Sequence, residues 1–243
     1  MNDYLAALNE CFPGWGDEAM FSWCFERIMA GHSADLLEVR DDGQLIAGSA
    51  ISYRNVLLPG GEIVKAGIMT GSFTVPAARG RGLFSRMIDD SLAAIRRRES
   101  AMLLAFVTST NGSCRRLAAA GATMVPSFYC RRAHGRVTPP VWTNAEDAAR
   151  FVYTDDEWSS QFVDRPHPAS LSVTDDFKAV VDGAGRMHFL QGDPRAIREL
   201  DVQFLFTTDA GKVPGGFEVV PGYLAVLGDI RPAKWELQNG DRM

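Results

Sequence analysis

Residues 71–99, GSFTVPAARGRGLFSRMIDDSLAAIRRRE, constrain the fold more than any other stretch of the chain. An extended apolar run ends at Val75. Pro76 stops a sheet ladder there, because it has no N–H to give and fixes φ. Arg79-Gly80-Arg81-Gly82 follows, and a helix opens directly from it at Leu83-Phe84. Two glycines let the backbone turn tightly and approach a ligand closely, and the opening helix turn leaves N–H groups unpaired. Those donors, the positive end of the helix dipole and two guanidiniums would make a site for a phosphate-bearing ligand. Surface turns with two glycines and two arginines also serve purely structural ends, so the surroundings must decide.

The surroundings read as a mixed α+β pattern. Residues 68–128 run strand, Gly-rich turn, helix, strand, Asn-started helix, strand. The helix over 83–98 carries Phe84, Met87, Ile88, Leu92 and Ile95 on one stripe. Residues 102–107 are wholly apolar, as in a central parallel strand covered on both faces. Asn111 is a good N-cap for a helix over 112–120. Upstream, strands are predicted over 36–40, 44–53 and 63–75, with Asp41-Asp42-Gly43 as a hairpin turn. Gly67 and Gly71 inside the third of these predict a bulge or a close backbone approach.

With V-P-x-x-R-G-R-G-L-F inside that pattern, residues 1–136 resemble the GCN5-related N-acetyltransferase (GNAT) superfamily. Phe12-Pro13-Gly14-Trp15 and Trp23 fit one of its subgroups. The resemblance implies a GNAT-like core, a central mixed sheet flanked by helices, that transfers an acetyl group from acetyl-CoA to a primary amine. Arg79 and Gly82 match the acyl-CoA motif, while Phe84 stands where the motif has a small residue. The implied CoA site comprises Arg79, Gly80, Arg81, Gly82, Leu83 and Phe84, with Asn111 and Ser113 on the pantetheine arm. The main chain around Phe73, Thr74 and Val75 would polarise the thioester carbonyl. An acyl-CoA-binding protein with little or no transferase activity is the alternative.

Acyl transfer to an amine needs a deprotonated nitrogen, a stabilised oxyanion and usually a proton for the leaving thiolate. The superfamily often takes its base from the strand before the phosphate turn, yet residues 63–75 hold no Asp or Glu. Glu62 is the nearest candidate base, against a plain solvated turn glutamate. The superfamily's acid, a Tyr seven residues after the helix-opening Asn, falls here on Ala118. Tyr129 on the next strand is the candidate substitute. His32, His134, His167 and His188 show no metal-ligand spacing, and no metal is expected.

Net charge is −5, divided as +2 over 1–136 and −7 over 137–243. That balance argues against nucleic acid as a partner and leaves a small-molecule or peptide amine as the expected acceptor. Four unpatterned cysteines suggest reduced thiols and a cytoplasmic protein, with no membrane partner expected. A homodimer is among the expected states. Residues 137–140, Val-Thr-Pro-Pro, read as a linker to a smaller C-terminal α+β extension, with a degenerate GNAT-like half as one expectation for it. Helices are predicted there near 144–152, 155–163 and 194–206, a hairpin over 177–190, and short strands at 223–227 and 235–237. This half is expected to wall the acceptor cleft, where its acidity would favour a cationic acceptor. A merely solvated acidic surface is the competing account.

Overall fold

In the computed structural model, which describes residues 2–133, 140–193 and 202–242, the 71–99 stretch does form strand, turn and helix. Helix α1 (Asp3–Cys11) opens on Asn2, whose side chain accepts the Tyr4 N–H. Helix α2 (Glu18–Phe21) is capped by Asp17 and runs into a π turn over Ser22–Glu26. It ends there because Arg27 turns extended.

Strands β1 (Asp35–Asp41), β2 (Gln44–Leu57) and β3 (Ile63–Thr74) form the predicted antiparallel meander. Asp42 and Gly43 take φ values of 47° and 80° in the first turn, which explains their residue types. A 3₁₀ turn, Pro76–Ala78, leads to α3 (Leu83–Arg97), then β4 (Met102–Thr108), α4 (Gly112–Ala119) and β5 (Thr123–Arg132).

The two strand glycines have different jobs. At Gly67 a Cβ would sit 2.6 Å from Ile95 Cγ2 and 2.8 Å from Ile51 Cγ2, so glycine lets α3 lie close on the sheet. At Gly71 (φ 55°) the strand bulges. Pairing steps from Gly48–Phe73 to Ala50–Thr70, three residues on β3 against two on β2. Met69 therefore packs towards α3, whereas Phe73 packs with Tyr4 and Phe21 on the α1 side. On an unbroken strand both would share one face.

The main sheet runs β1-β2-β3-β4, then β11 (Phe217–Gly228), β5 and β10 (Phe204–Thr207), with β6 (Arg150–Val152) paired to β2. Strands β6, β10 and β11 all lie beyond residue 136. The sheet thus crosses the position where a boundary between two units is expected, and β11 inserts between β4 and β5. Helix α5 (Asp155–Trp158) continues into a π turn over Ser159–Val163, much as predicted. Strands β7 (Ala169–Thr174), β8 (Phe177–Asp182) and β9 (Met187–Gly192) form a separate antiparallel sheet that contains the predicted hairpin.

Three local expectations fail. Residues 150–152 are strand β6 rather than helix, because Val56 and Leu57 offer an edge to Phe151 and Arg150. Residues 204–207 pair with β5 rather than ending a helix, and the start of that helix, with most of the 137–140 linker, lies outside the described residues. Residues 235–237 form no strand; Trp235 makes one isolated bridge to Ala149 and packs with Leu237 against the main sheet.

Candidate active site

Strand β4 makes the site by keeping one neighbour and losing the other. It pairs in parallel with β3 at Ala66–Met102, Gly67–Leu103 and Ile68–Leu104, and nowhere further. Both strands continue, β3 to Thr74 and β4 to Thr108. The gap opens a cavity of about 410 Å³, lined by Met69, Thr70, Gly71 and Ser72 on one side and Ala105, Phe106 and Val107 on the other.

The cavity reaches both faces of the sheet. Phe84, Asn111, Gly112, Ser113 and Arg116 line it where α3 and α4 begin. Phe12 and Arg242 line it too. Arg242 stands over the rings of Tyr129 and Phe206, which pack on the opposite face from α3.

Two helix N-termini converge on the α3 side. Gly80 (φ 82°) and Gly82 (φ 75°) hold the left-handed turns that aim α3. Gly82 gives no side-chain cap, and among the described residues no protein acceptor takes the N–H of Leu83 or Phe84. Asn111 caps α4 by accepting the Ser113 N–H at 3.1 Å. Arg116 Nη1 donates to Ser85 Oγ at 3.3 Å and so ties the two helix starts together. A second cavity of about 620 Å³ continues between these helices, past Ser85, Asp89 and Arg115. It shares Gly112 and Arg116 with the first.

The sequence-predicted residues divide. Phe84, Asn111 and Ser113 line the cleft, and Gly80, Gly82 and Leu83 shape the turn beside it. Arg79 is exposed, with Nε 3.4 Å from the Thr74 carbonyl. Arg81 is engaged elsewhere: its Nη1 lies 2.8 Å from Asp41 Oδ2 in an ion pair with both side chains about half exposed. Phe73 is buried against Tyr4, with ring centroids 5.1 Å apart. The Val75 N–H goes to the Ile46 carbonyl at 3.0 Å. The bulge places the cleft-lining main chain at residues 69–72, upstream of the expected 73–75.

Both candidate proton-transfer residues change standing. Glu62 is exposed at the far end of β3, seven residues before Met69 and so roughly 20 Å of strand away. It cannot serve the cleft. Tyr129 lies one layer behind the cleft lining, its ring 5.0 Å from Phe206 and 4.4 Å beneath the Arg242 guanidinium. Burial raises its hydroxyl pKa, and Arg242 beside it works the other way.

Trp23 faces the C-terminal half, donating Nε1–H to the Ser160 carbonyl at 2.8 Å, and Trp15 stacks on Phe25. Both do packing work. Among the described residues of the C-terminal half, it is Arg242, a cation, that lines the cleft, where an acidic wall is expected.

Sequence reasoning missed Arg116, Phe12 and Arg242. Arg116 had a readable signal, because it follows the helix-opening Gly112 by four residues and shares its face. Ser72 was also missed; its Oγ is 2.8 Å from the buried Ser49 Oγ at the bulge. Cys114 is buried on α4. Among the described residues no group of His, Cys, Asp and Glu could hold a metal ion, and no helix is long and apolar enough to cross a membrane.

No curated protein matches the sequence. Solved structures match the fold. A conserved protein from Enterococcus faecalis V583, described as a probable N-acyltransferase, is 11% identical with a TM-score of 0.64, over 93% of this chain and 69% of that one. A protein from Pyrococcus horikoshii assigned as an acetyltransferase is also 11% identical at 0.64, over 98% of this chain and 89% of that one. A GCN5-related N-acetyltransferase from Kribbella flavida is 14% identical at 0.59, over 92% and 67%. The family model described as an acetyltransferase (GNAT) domain matches residues 1–135. This span runs from α1 through β5 and takes in the turn, both helix starts and the parting strands, and on that match the chain belongs to the GNAT acetyltransferase family.

Proposed function

We propose that the chain transfers an acetyl group from acetyl-CoA to a primary amine. The observation that carries this reading is one continuous cleft. It runs from two converging helix N-termini, through the parted strands, to the opposite face of the sheet.

Each part has a chemical use. The free N–H groups of Leu83 and Phe84 suit a pyrophosphate, with Arg116 and the exposed Arg79 as cations nearby. Asn111 and Ser113 would steady the pantetheine arm. Main-chain donors of residues 69–72, on the edge that β4 leaves after Ile68, would polarise the thioester oxygen, with Gly71 and Ser72 set by the bulge. The amine nitrogen then attacks the thioester carbon. A C–N bond forms, the C–S bond breaks, and the thiolate leaves with the proton that the amine gives up.

Between the parted strands, the described lining of the first cavity holds no carboxylate and no imidazole; Asp89 lines only the second cavity, between the helix starts. Proton transfer would pass through water and through the Ser72–Ser49 hydroxyl pair. The same lining favours the second reading, an acyl-CoA-binding protein with little turnover.

Thermal stabilisation by acetyl-CoA tests the binding that both readings share, since a ligand of the native state raises stability with concentration. Thiol release with a panel of amines then separates them. Acetyl-CoA stabilisation without thiol release from any amine leaves the binding protein standing.

A further inference from the structure

On the face of the sheet opposite α3, the cleft is lined by a guanidinium that has no carboxylate partner among the described residues. Arg242 Nη1 donates to Asn239 Oδ1 at 3.0 Å, and the planar group lies 4.4 Å from the Tyr129 ring centroid and 5.0 Å from that of Phe206. Its Nε is sealed from solvent and has no hydrogen-bond partner among the described residues. The neighbouring Asp241 is committed elsewhere, accepting from Tyr153 Oη at 2.7 Å and from the Gln238 N–H at 2.7 Å.

The guanidinium is also held in place. Asn239 Nδ2 lies 3.2 Å from His188 Nδ1, and His188 Nε2 lies 3.0 Å from Asp182 Oδ2, so a chain of polar contacts from the small sheet backs the Arg242 fork. A desolvated cation without an anion is unfavourable unless an anion arrives to complete it. A rigid fork with donors to spare suits a carboxylate best.

We infer that the acceptor is an amino carboxylate, a free amino acid or a close relative, whose carboxylate docks on Arg242 while its amine faces the thioester across the sheet. This inference rests on the acyl-transfer reading. It replaces the expectation of a purely cationic acceptor, because the charge presented at this mouth of the cleft is positive.

The test pairs common amino acids with their methyl esters, which keep the amine and remove the anion. Binding to the CoA-loaded protein is followed by calorimetry, and turnover by thiol release. Wild type should bind the best acid at least ~10-fold more tightly than its ester, as expected for a charge-assisted pair. Arg242→Gln should bring that ratio to within about twofold, and Arg242→Lys should restore part of it, because it returns the charge without the fork. Equal affinity for acid and ester in wild type would overturn the inference. So would a ratio unchanged in Arg242→Gln, or the absence of binding by any acid. The same titrations without CoA keep the two failures distinct. Arg242-dependent acid binding in a protein that ignores acetyl-CoA would sink the transferase reading and leave the anion site in place.

Discussion

The two edges of β4 do opposite things. Along its β11 edge the ladder runs from Gly222–Thr108 to Gly228–Met102 without a break. Along its β3 edge three pairs form and the strands then part. The closed edge is supported by Tyr129, Phe206 and Leu224 on one face of the sheet. The open edge has a bulge, two helix N-termini and a cavity. One strand thus separates stability from chemistry. Substitutions on the closed edge should act through folding, and those on the open edge through ligand.

The largest effect is expected at Gly222. A Cβ there would lie 2.4 Å from the Tyr129 ring and 2.6 Å from the Val107 carbonyl. Gly222→Ala should cost about 3 kcal/mol by overpacking, read as a lower chemical-denaturation midpoint. A loss below about 0.5 kcal/mol would mean that the closed edge is looser than described.

Acid should weaken the buttress behind that edge. His188 is buried, and burial first, then Arg165, depresses its pKa to about 4. The folded value lies below the unfolded one, so the folded state binds fewer protons. The stability His188 contributes is therefore whole above about pH 6.5 and is lost as pH falls towards 4, by an amount on the order of 3 kcal/mol. Asp241, which burial holds up at about 6, runs the other way: its contribution is greatest in acid and falls as pH rises through 6. Denaturation midpoints of His188→Gln against wild type across this range isolate the histidine. Parallel pH profiles would refute its assignment.

Asn111 sharpens the comparison, because it belongs to both ledgers. Asn111→Ala should lose about 1 kcal/mol of stability with its cap and also weaken acetyl-CoA binding. Asn111→Asp keeps a capping oxygen but sets a negative charge beside the arm and the phosphates. It should weaken acetyl-CoA binding with little loss of stability. Equal ligand affinity in all three proteins would place CoA elsewhere.

The smallest effect is expected at Arg81, whose ion pair with Asp41 is solvated. Arg81→Ala should change stability by less than about 0.5 kcal/mol. Its effect on acetyl-CoA KM should stay below that of Arg116→Gln, since Arg116 lines both cavities. The reverse order would mean that Arg81 leaves Asp41 for the ligand.

The open edge was largely legible in the sequence, because its devices are local. Glycines at positive φ, a proline stop, an Asn cap and the helical stripe of α3 each leave a mark within a few residues. The closed edge left none. Leu104 meets Val226 through pairing between strands distant in the chain, and neither sequence names its partner. The same blindness hid Arg242, delivered to the cleft by the Asn239–Arg242 turn. The main chain of 73–75, expected at the cleft, does not line it, for a subtler reason. The bulge at Gly71 was foreseen, but its parity flip turns Phe73 into the core. Glu62 failed on distance alone: adjacency to β3 in sequence put it at the wrong end of the strand.

Amide hydrogen exchange with and without acetyl-CoA tests the central claim most directly. The N–H groups of Leu83 and Phe84 have no protein acceptor among the described residues, so they should exchange quickly in the free protein. Saturating acetyl-CoA should slow them, together with residues 69–72, while the β11 amides change little. Exchange at Leu83 and Phe84 that is already slow without ligand, or no slower with it, would contradict the account.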